Sequence, residues 1–314
     1  MQFRTETKIM AEPGLITYGK KLFFTGSCFA DEIGNRLSKL GFDNCTNPSG
    51  ILFNPISLGD YFYDALYTTF NAELIVQREE LFFHYGYHSK LCASSKQDIQ
   101  DQILQMLEQT KTRLLIADVL VVTMGTAWVY RHRQTGKVVA NCHKIPQKEF
   151  TKELLQLDDL KKNYNSLFEL LFEKNKNLRV VLTVSPVRHT KDGLHENNLS
   201  KGVLHLLCDY LVNNFNRVSY FPAYELVLDD LRDYRFYKED LVHPTQQAID
   251  YVFEKMADAW FDNSTKQAAL VKSEINKLMN HKPIVQDKSE VKIAAEKLRE
   301  LEQKFDLLVN NTTR

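Results

Sequence analysis

Apolar residues cluster in four short runs along the chain, at residues 22–25, 117–124, 178–184 and 218–221. Between them, apolar positions recur every three or four residues. That alternation predicts a parallel sheet with crossover helices, an α/β fold. The second and third runs are β-branched and apolar at successive positions, as strands covered on both faces are, and so are predicted to be central. Periodicity and end signals predict helices over residues 30–40 (closed by Gly41), 96–115, 151–174, 200–215 and 245–261.

Two regions depart from this rhythm. Residues 44–95 form an insertion rich in aromatics, with Gly50-Ile-Leu-Phe-Asn-Pro, Tyr61-Phe-Tyr and Phe82-Phe-His-Tyr-Gly-Tyr-His, and are expected to make a lid or pocket wall over the sheet's edge. After residue 262 two charged amphipathic patterns flank His281-Lys-Pro and predict a helical hairpin. The expected division is therefore a domain over 1–262 and a C-terminal helical extension over 263–314. In the extension Ile293, Ala294, Leu298, Leu301, Phe305 and Leu308 fall at helical spacing, to pack on the domain or, as a homo-oligomer, on a second copy.

Charge narrows the list of partners. With 40 acidic and 40 basic residues the formal net charge is zero, which offers no electrostatic footprint for nucleic acid or an anionic membrane and suits a small-molecule substrate. The N-terminal residues lack an apolar stretch of signal-peptide length, and no run approaches a bilayer span, so a cytoplasmic location is expected. Five widely spaced cysteines without a Cys-x-x-Cys pair read as free thiols, neither a disulfide framework nor a zinc site. Dinucleotide, Walker and His-Glu-x-x-His motifs are missing, and no cofactor or metal is expected.

Two segments carry candidate chemistry. The first run ends at Gly26-Ser27-Cys28, two potential nucleophiles between a strand and a helix. At the carboxyl edge of a parallel sheet, helix N–H groups favour negative charge. The second segment is Asp240-Leu-Val-His243-Pro, ahead of the last core helix. An aspartate three residues before a histidine can fix the ring's tautomer and leave the other nitrogen to act as a base.

The string Gly26-Ser27-Cys28-Phe29-Ala30 resembles the signature of the GSCFA-domain family, and the chain order resembles that of SGNH, or GDSL-type, hydrolases. Gly125-Thr126-Ala127, Asn141-Cys142-His143-Lys144, Ser185-Pro186-Val187 and the Asp-x-x-His-Pro segment extend the likeness over roughly residues 15–310. The resemblance implies a flavodoxin-like parallel sheet and an acyl ester hydrolase or acyltransferase, with an acylated saccharide as one plausible substrate. It puts Asp240 and His243 in a catalytic pair. Aligning the superfamily's Gly-Asp-Ser on Gly26-Ser27-Cys28 makes Cys28 the nucleophile, and a register one residue off makes it Ser27.

The middle block departs from the superfamily, because Gly125-Thr126-Ala127 lacks the usual asparagine. Backbone amides near Gly26, Cys28, Gly125 and Thr126, or Asn141, are the candidate oxyanion donors, with His143 as a further acid or base and Cys142 as a resolving thiol. Asn54 and His88 are candidate pocket residues within the aromatic insertion, and Ser185, Arg188 and His189 lie at the same sheet edge. A decayed oxyanion block also leaves open a ligand-binding or scaffold protein that has kept the fold without the catalysis.

Overall fold

The computed structural model describes residues 4–280 and 288–312; the expected His281-Lys-Pro connection lies outside them. Among the described residues the elements run β1 (Leu22–Gly26), α1 (Cys28–Lys39), β2 (Asn44–Thr46), α2 (Pro55–Tyr67), β3 (Ile75–Arg78), β4 (Leu81–His84), α3 (Lys96–Ile116) and β5 (Val119–Met124). They continue with β6 (Trp128–His132), β7 (Val138–Val139), β8 (Phe150–Leu154), α4 (Leu157–Lys174), β9 (Arg179–Val184), α5 (Leu194–Asn214), β10 (Val218–Tyr220) and the single turn α6 (Ala223–Glu225). The last elements are α7 (Gln246–Trp260), α8 (Asn263–Asn280) and α9 (Lys288–Thr312).

The main sheet has the order β10-β9-β5-β1-β2 and every pairing in it is parallel. Its three inner strands, β1, β5 and β9, are buried on both faces because their side chains alternate between two cores. Phe23, Leu120, Val122, Val180 and Leu182 pack toward α2, α3, α4 and α5, whereas Leu22, Phe24, Val119, Val121 and Val181 pack toward α1, α7 and α8. The run at 117–124 thus takes the middle of the sheet and the run at 178–184 lies beside it, as their composition predicts.

Four expectations need correction. Residues 44–46 are not part of an insertion: β2 is the edge strand of the main sheet, held by pairing with Leu22–Phe24. The part of the aromatic segment that forms α2 is no lid, because Leu58, Tyr61, Phe62 and Ala65 bury one of its faces in the larger core, while Ser57, Asp60 and Asp64 line a cavity of about 190 Å³ with His84 and Gly86. The helix expected over 151–174 begins at Leu157; Phe150–Leu154 forms β8, which pairs antiparallel with β6 in a three-stranded sheet of order β7-β6-β8. The helix expected from residue 200 starts at Leu194.

At the C-terminal end α8 and α9 lie against each other, and Phe305, Leu308 and Val309 pack on the second core, with Phe305 edge-on to Tyr18 at 5.2 Å. Ile293 remains exposed. No described helix is long and apolar enough to cross a membrane.

Candidate active site

The register of the sheet brings three chain exits to one edge. Gly26 lies opposite Thr123, and Thr123 opposite Thr183, so Ser27-Cys28, Gly125 and Ser185 leave β1, β5 and β9 side by side. In open parallel sheets this edge is where ligands bind.

The β1 exit is built around a glycine that cannot be replaced. Gly26 has φ +125°, and a Cβ there would stand 2.1 Å from the carbonyl oxygen of Thr123. Its N–H donates to Asn47 Oδ1 (2.8 Å), while Asn47 Nδ2 donates to Asp31 Oδ1 (2.7 Å), so the edge strand's exit clamps the turn. The Ser27 N–H donates to Thr123 O at 3.0 Å. Ser27 is 1% exposed, and its Oγ caps α1 by accepting the Phe29 N–H at 3.3 Å. Cys28 is the first residue of α1 and is partly exposed.

The surroundings of Cys28 oppose the low thiol pKa that a helix N-terminus alone would favour. Burial pushes it up, as does Asp31 and more weakly Glu32, while the residue's own N–H and Lys238 draw it down. A cleft of about 360 Å³ lies beside this turn, lined by Asp31, Asn35, Asn47, Ser49 and Lys90 among others.

At the β5 exit the carbonyl of Phe53 accepts both the Gly125 N–H (2.7 Å) and the Thr126 N–H (3.1 Å). These two candidate oxyanion donors are therefore engaged within the protein. Thr126 Oγ1 is 3.0 Å from Ser200 Oγ, which also accepts the Ala127 N–H, so the threonine anchors α5. Asn54 is likewise structural here: its Oδ1 accepts the Ser57 N–H and caps α2.

The third wall carries the aspartate and histidine. Asp240 Oδ1 accepts the N–H groups of Val242 and His243, both at 2.9 Å, and Oδ2 meets His243 Nδ1 at 2.7 Å. These bonds hold the Asp240 carboxyl well below the usual carboxylate range, the backbone N–H of His243 contributing most. The Arg188 N–H donates to Val242 O, tying this loop to the β9 exit. The His243 side chain stays 43% exposed. Among the described residues no hydrogen bond joins His243 to Ser27 or Cys28; their common neighbour is Lys238, whose N–H donates to His243 O and whose charge lowers the Cys28 thiol.

Residues 21–256 match the GSCFA family. The chain belongs to that family. No curated protein matches it. Among solved structures, it is similar to an acetyl xylan esterase from the rumen bacterium Butyrivibrio proteoclasticus, at 11% identity and a TM-score of 0.36, over 77% of this chain and 64% of that one. It thus spans less than two thirds of that esterase's length.

Other candidates of this GSCFA chain lie apart from the β1 exit. Asn141 Oδ1 accepts the His143 N–H (2.8 Å), and His143 is 1% exposed, stacked on Phe83 with ring centroids 4.9 Å apart. The ring's nitrogens face Ser89 Oγ and the His84 carbonyl, and burial lowers its pKa. That accounts for both residues as a hydrogen-bonded core of the small sheets. Cys142 beside them is pushed up to about 11 by burial, which disfavours a resolving thiolate. His88 packs its Cβ on Gly50, and its Nδ1 accepts the Lys90 N–H.

Two residues stand out at the crevice instead. His189 approaches the face of Gly125, where a Cβ would meet its Nε2 at 3.4 Å, and burial with Lys201 and His243 nearby pushes it down to about 4. Lys201 is 1% exposed and donates to both Gly125 O and Ser185 O at 2.7 Å. A signal for it exists in the sequence: Asn197, Ser200, Lys201, Leu204, Cys208 and Leu211 share the buried stripe of α5, so a lysine falls at a core position. No group of three or more metal-ligating His, Cys, Asp or Glu side chains occurs among the described residues.

Proposed function

We propose that this chain is an SGNH-type acyl ester hydrolase or acyltransferase acting on a small-molecule ester, with an acylated saccharide as the substrate class and Cys28 as the nucleophile. The observation that carries the reading is the Asp240–His243 hydrogen bond, which orients Nδ1 and leaves Nε2 as the base in a half-exposed ring at the sheet edge. Of the two adjacent nucleophiles, Ser27 is buried and committed to capping, whereas Cys28 is partly exposed. This favours the register that puts Cys28 in the reacting position.

In the proposed reaction His243 Nε2 takes the thiol proton as Sγ attacks the acyl carbonyl. The tetrahedral intermediate collapses to a thioester, and the same imidazolium returns the proton to the leaving alcohol. Water or an acceptor hydroxyl then attacks the thioester, giving hydrolysis or transfer. Since Gly125 and Thr126 spend their amides on Phe53, the Cys28 N–H and a neutral His189 ring would serve the oxyanion.

The test is hydrolysis of p-nitrophenyl acetate and of an acetylated sugar by the purified protein. Cys28→Ala and His243→Ala should each lose at least about 100-fold in kcat, while Ser27→Ala keeps measurable turnover. Full activity in Cys28→Ala would sink the proposal. The raised Cys28 thiol and the engaged Gly125 amide favour a second reading, a ligand-binding protein on the same fold. It predicts no turnover in the parent chain and sugar binding that survives Cys28→Ala.

A further inference from the structure

The loop that carries His243 also builds one wall of a cationic pocket, which the proposed reaction does not use. Ser185-Pro186-Val187 leads from β9 to Arg188, whose N–H donates to Val242 O at 3.3 Å, one residue before His243. Tyr237 bridges to Pro244, one residue after it, and the Lys238 N–H donates to His243 O at 2.7 Å. Arg188 and Tyr237 therefore flank the base through its own backbone. With Arg232, Asp233 and Tyr234 they line a cavity of about 190 Å³, whose apolar lining is Val227 and Leu228.

The protein supplies no counter-charge to this cavity. No ion pair among the described residues includes Arg188 or Arg232. Asp233 brings a carboxylate to the lining, but its Oδ1 accepts the Arg235 N–H at 2.8 Å and its Oδ2 lies 3.7 Å from Arg235 Nε. Asp229 is exposed and outside the lining, and Asp240 is bound to Val242 and His243. Arg188 is held in place as well: its Cζ stands 5.4 Å from the Tyr237 ring centroid and 5.7 Å from that of Tyr234. Ring faces attract a guanidinium without consuming its N–H groups. Even with the Tyr237 hydroxyl engaged, donors are left over.

We infer that this pocket is an anion subsite: Arg188 and Arg232 receive a carboxylate or phosphate carried by the substrate, so the acylated saccharide of the proposed function is an acidic one. The guanidinium fork matches the paired oxygens of either group. The role rests on the proposed function, because it is an ester docked at His243 that would lay its acidic group here. Binding itself does not depend on which residue attacks.

The experiment titrates the full chain calorimetrically with glucose, glucuronate and glucose 6-phosphate, then repeats the series in Arg188→Gln, Arg188→Lys and Arg232→Gln. At least one acidic sugar should bind about tenfold or more tightly than glucose, the effect of hydrogen bonds to a charged group. Preference for glucuronate identifies a carboxylate, and preference for glucose 6-phosphate a phosphate. Arg188→Gln should abolish the preference, Arg188→Lys should restore part of it by keeping the charge without the fork, and Arg232→Gln should weaken it several-fold. Equal affinity for the three sugars, no binding of any, or a preference untouched by Arg232→Gln and by every folded Arg188 variant would overturn the inference. Arg232 is exposed, so its variant decides the matter if Arg188→Gln fails to fold. Turnover separates the subsite from the reaction. An acetylated glucuronate or sugar phosphate should show a lower KM than acetylated glucose, and Arg188→Gln should raise it toward the neutral ester's value; equal KM values in the parent chain would refute the subsite and spare the esterase. Arginine-dependent binding without hydrolysis of any ester would refute the reaction and spare the pocket.

Discussion

Replacing Gly26 with alanine puts the strand-to-helix turn under a direct test. The added Cβ would lie 2.1 Å from Thr123 O, 2.8 Å from its carbonyl carbon and 2.9 Å from its nitrogen. All three are backbone atoms of the neighbouring strand, so nothing flexible can give way. The residue also sits at φ +125°, where an L side chain costs about 1–3 kcal/mol. Relief of the clash must part β1 from β5 and lengthen the 3.0 Å bond from the Ser27 N–H to Thr123 O. Overpacking of this kind costs about 1–3 kcal/mol more. The expected loss is about 2–6 kcal/mol, a large part of the about 5–15 kcal/mol by which domains are stable.

Gly136 supplies the control, because it too has positive φ (+66°) but no atom within 4 Å of its would-be Cβ. Gly136→Ala should cost only about 1–2 kcal/mol, the conformational part alone. Urea unfolding of the three proteins, followed by tryptophan fluorescence, measures the difference. If Gly26→Ala and Gly136→Ala shift the midpoint equally, the close approach at Thr123 is not what fixes the turn.

Further outcomes follow from the same contacts. Phe62→Ala, on the buried face of α2, should lose about 3–5 kcal/mol in chemical denaturation; a loss under 1 kcal/mol would restore the lid. Asp240→Asn removes an acceptor that holds the His243 ring, and should lower kcat by about 10²-fold or more while leaving KM within a few fold. Asp64 is raised to about 6 by burial despite the Tyr87 hydroxyl at 2.7 Å, so its ionisation opposes folding. Protonated Asp64 is the better accommodated form, so stability from this group is complete below about pH 4 and is lost as pH rises through about 6. Asp64→Asn should therefore exceed the parent by about 1–2 kcal/mol above pH 7, with the gap closing toward pH 4; a gap independent of pH would contradict this. Phe305→Ala should cost about 1 kcal/mol, since the ring's edge contact with Tyr18 is much of what α9 places on the domain.

Central strands were easy to see in the sequence because Val119–Met124 and Arg179–Val184 are apolar on both faces, a property of the residues themselves. The edge strand Asn44–Thr46 has no such property. Three half-buried residues become a strand only by pairing with β1, and pairing is a tertiary fact. Residues 150–154 misled for the same reason, as Phe150–Leu154 is a strand only through β6. The Asp240–His243 pair is local and could be read from a three-residue spacing. Asn141 and His143 looked reactive because their residue types are, but only the fold shows their polar atoms spent on each other, Ser89 and a carbonyl. Lys201 shows the converse, a charged residue that an exposed-helix reading passes over and that burial makes conspicuous.

The turn at Gly26 and the loop at His243 also set an order in time. Cys28 leaves the ribosome early, whereas His243 follows nearly all of the sheet, whose last strand, β10, ends at Tyr220. At about 5–20 residues per second, roughly 10–40 s of synthesis separate the two. Through that interval a nascent chain carries its sulfur without the Asp240-oriented base, so the proposed chemistry switches on only after translation has passed the final crossover.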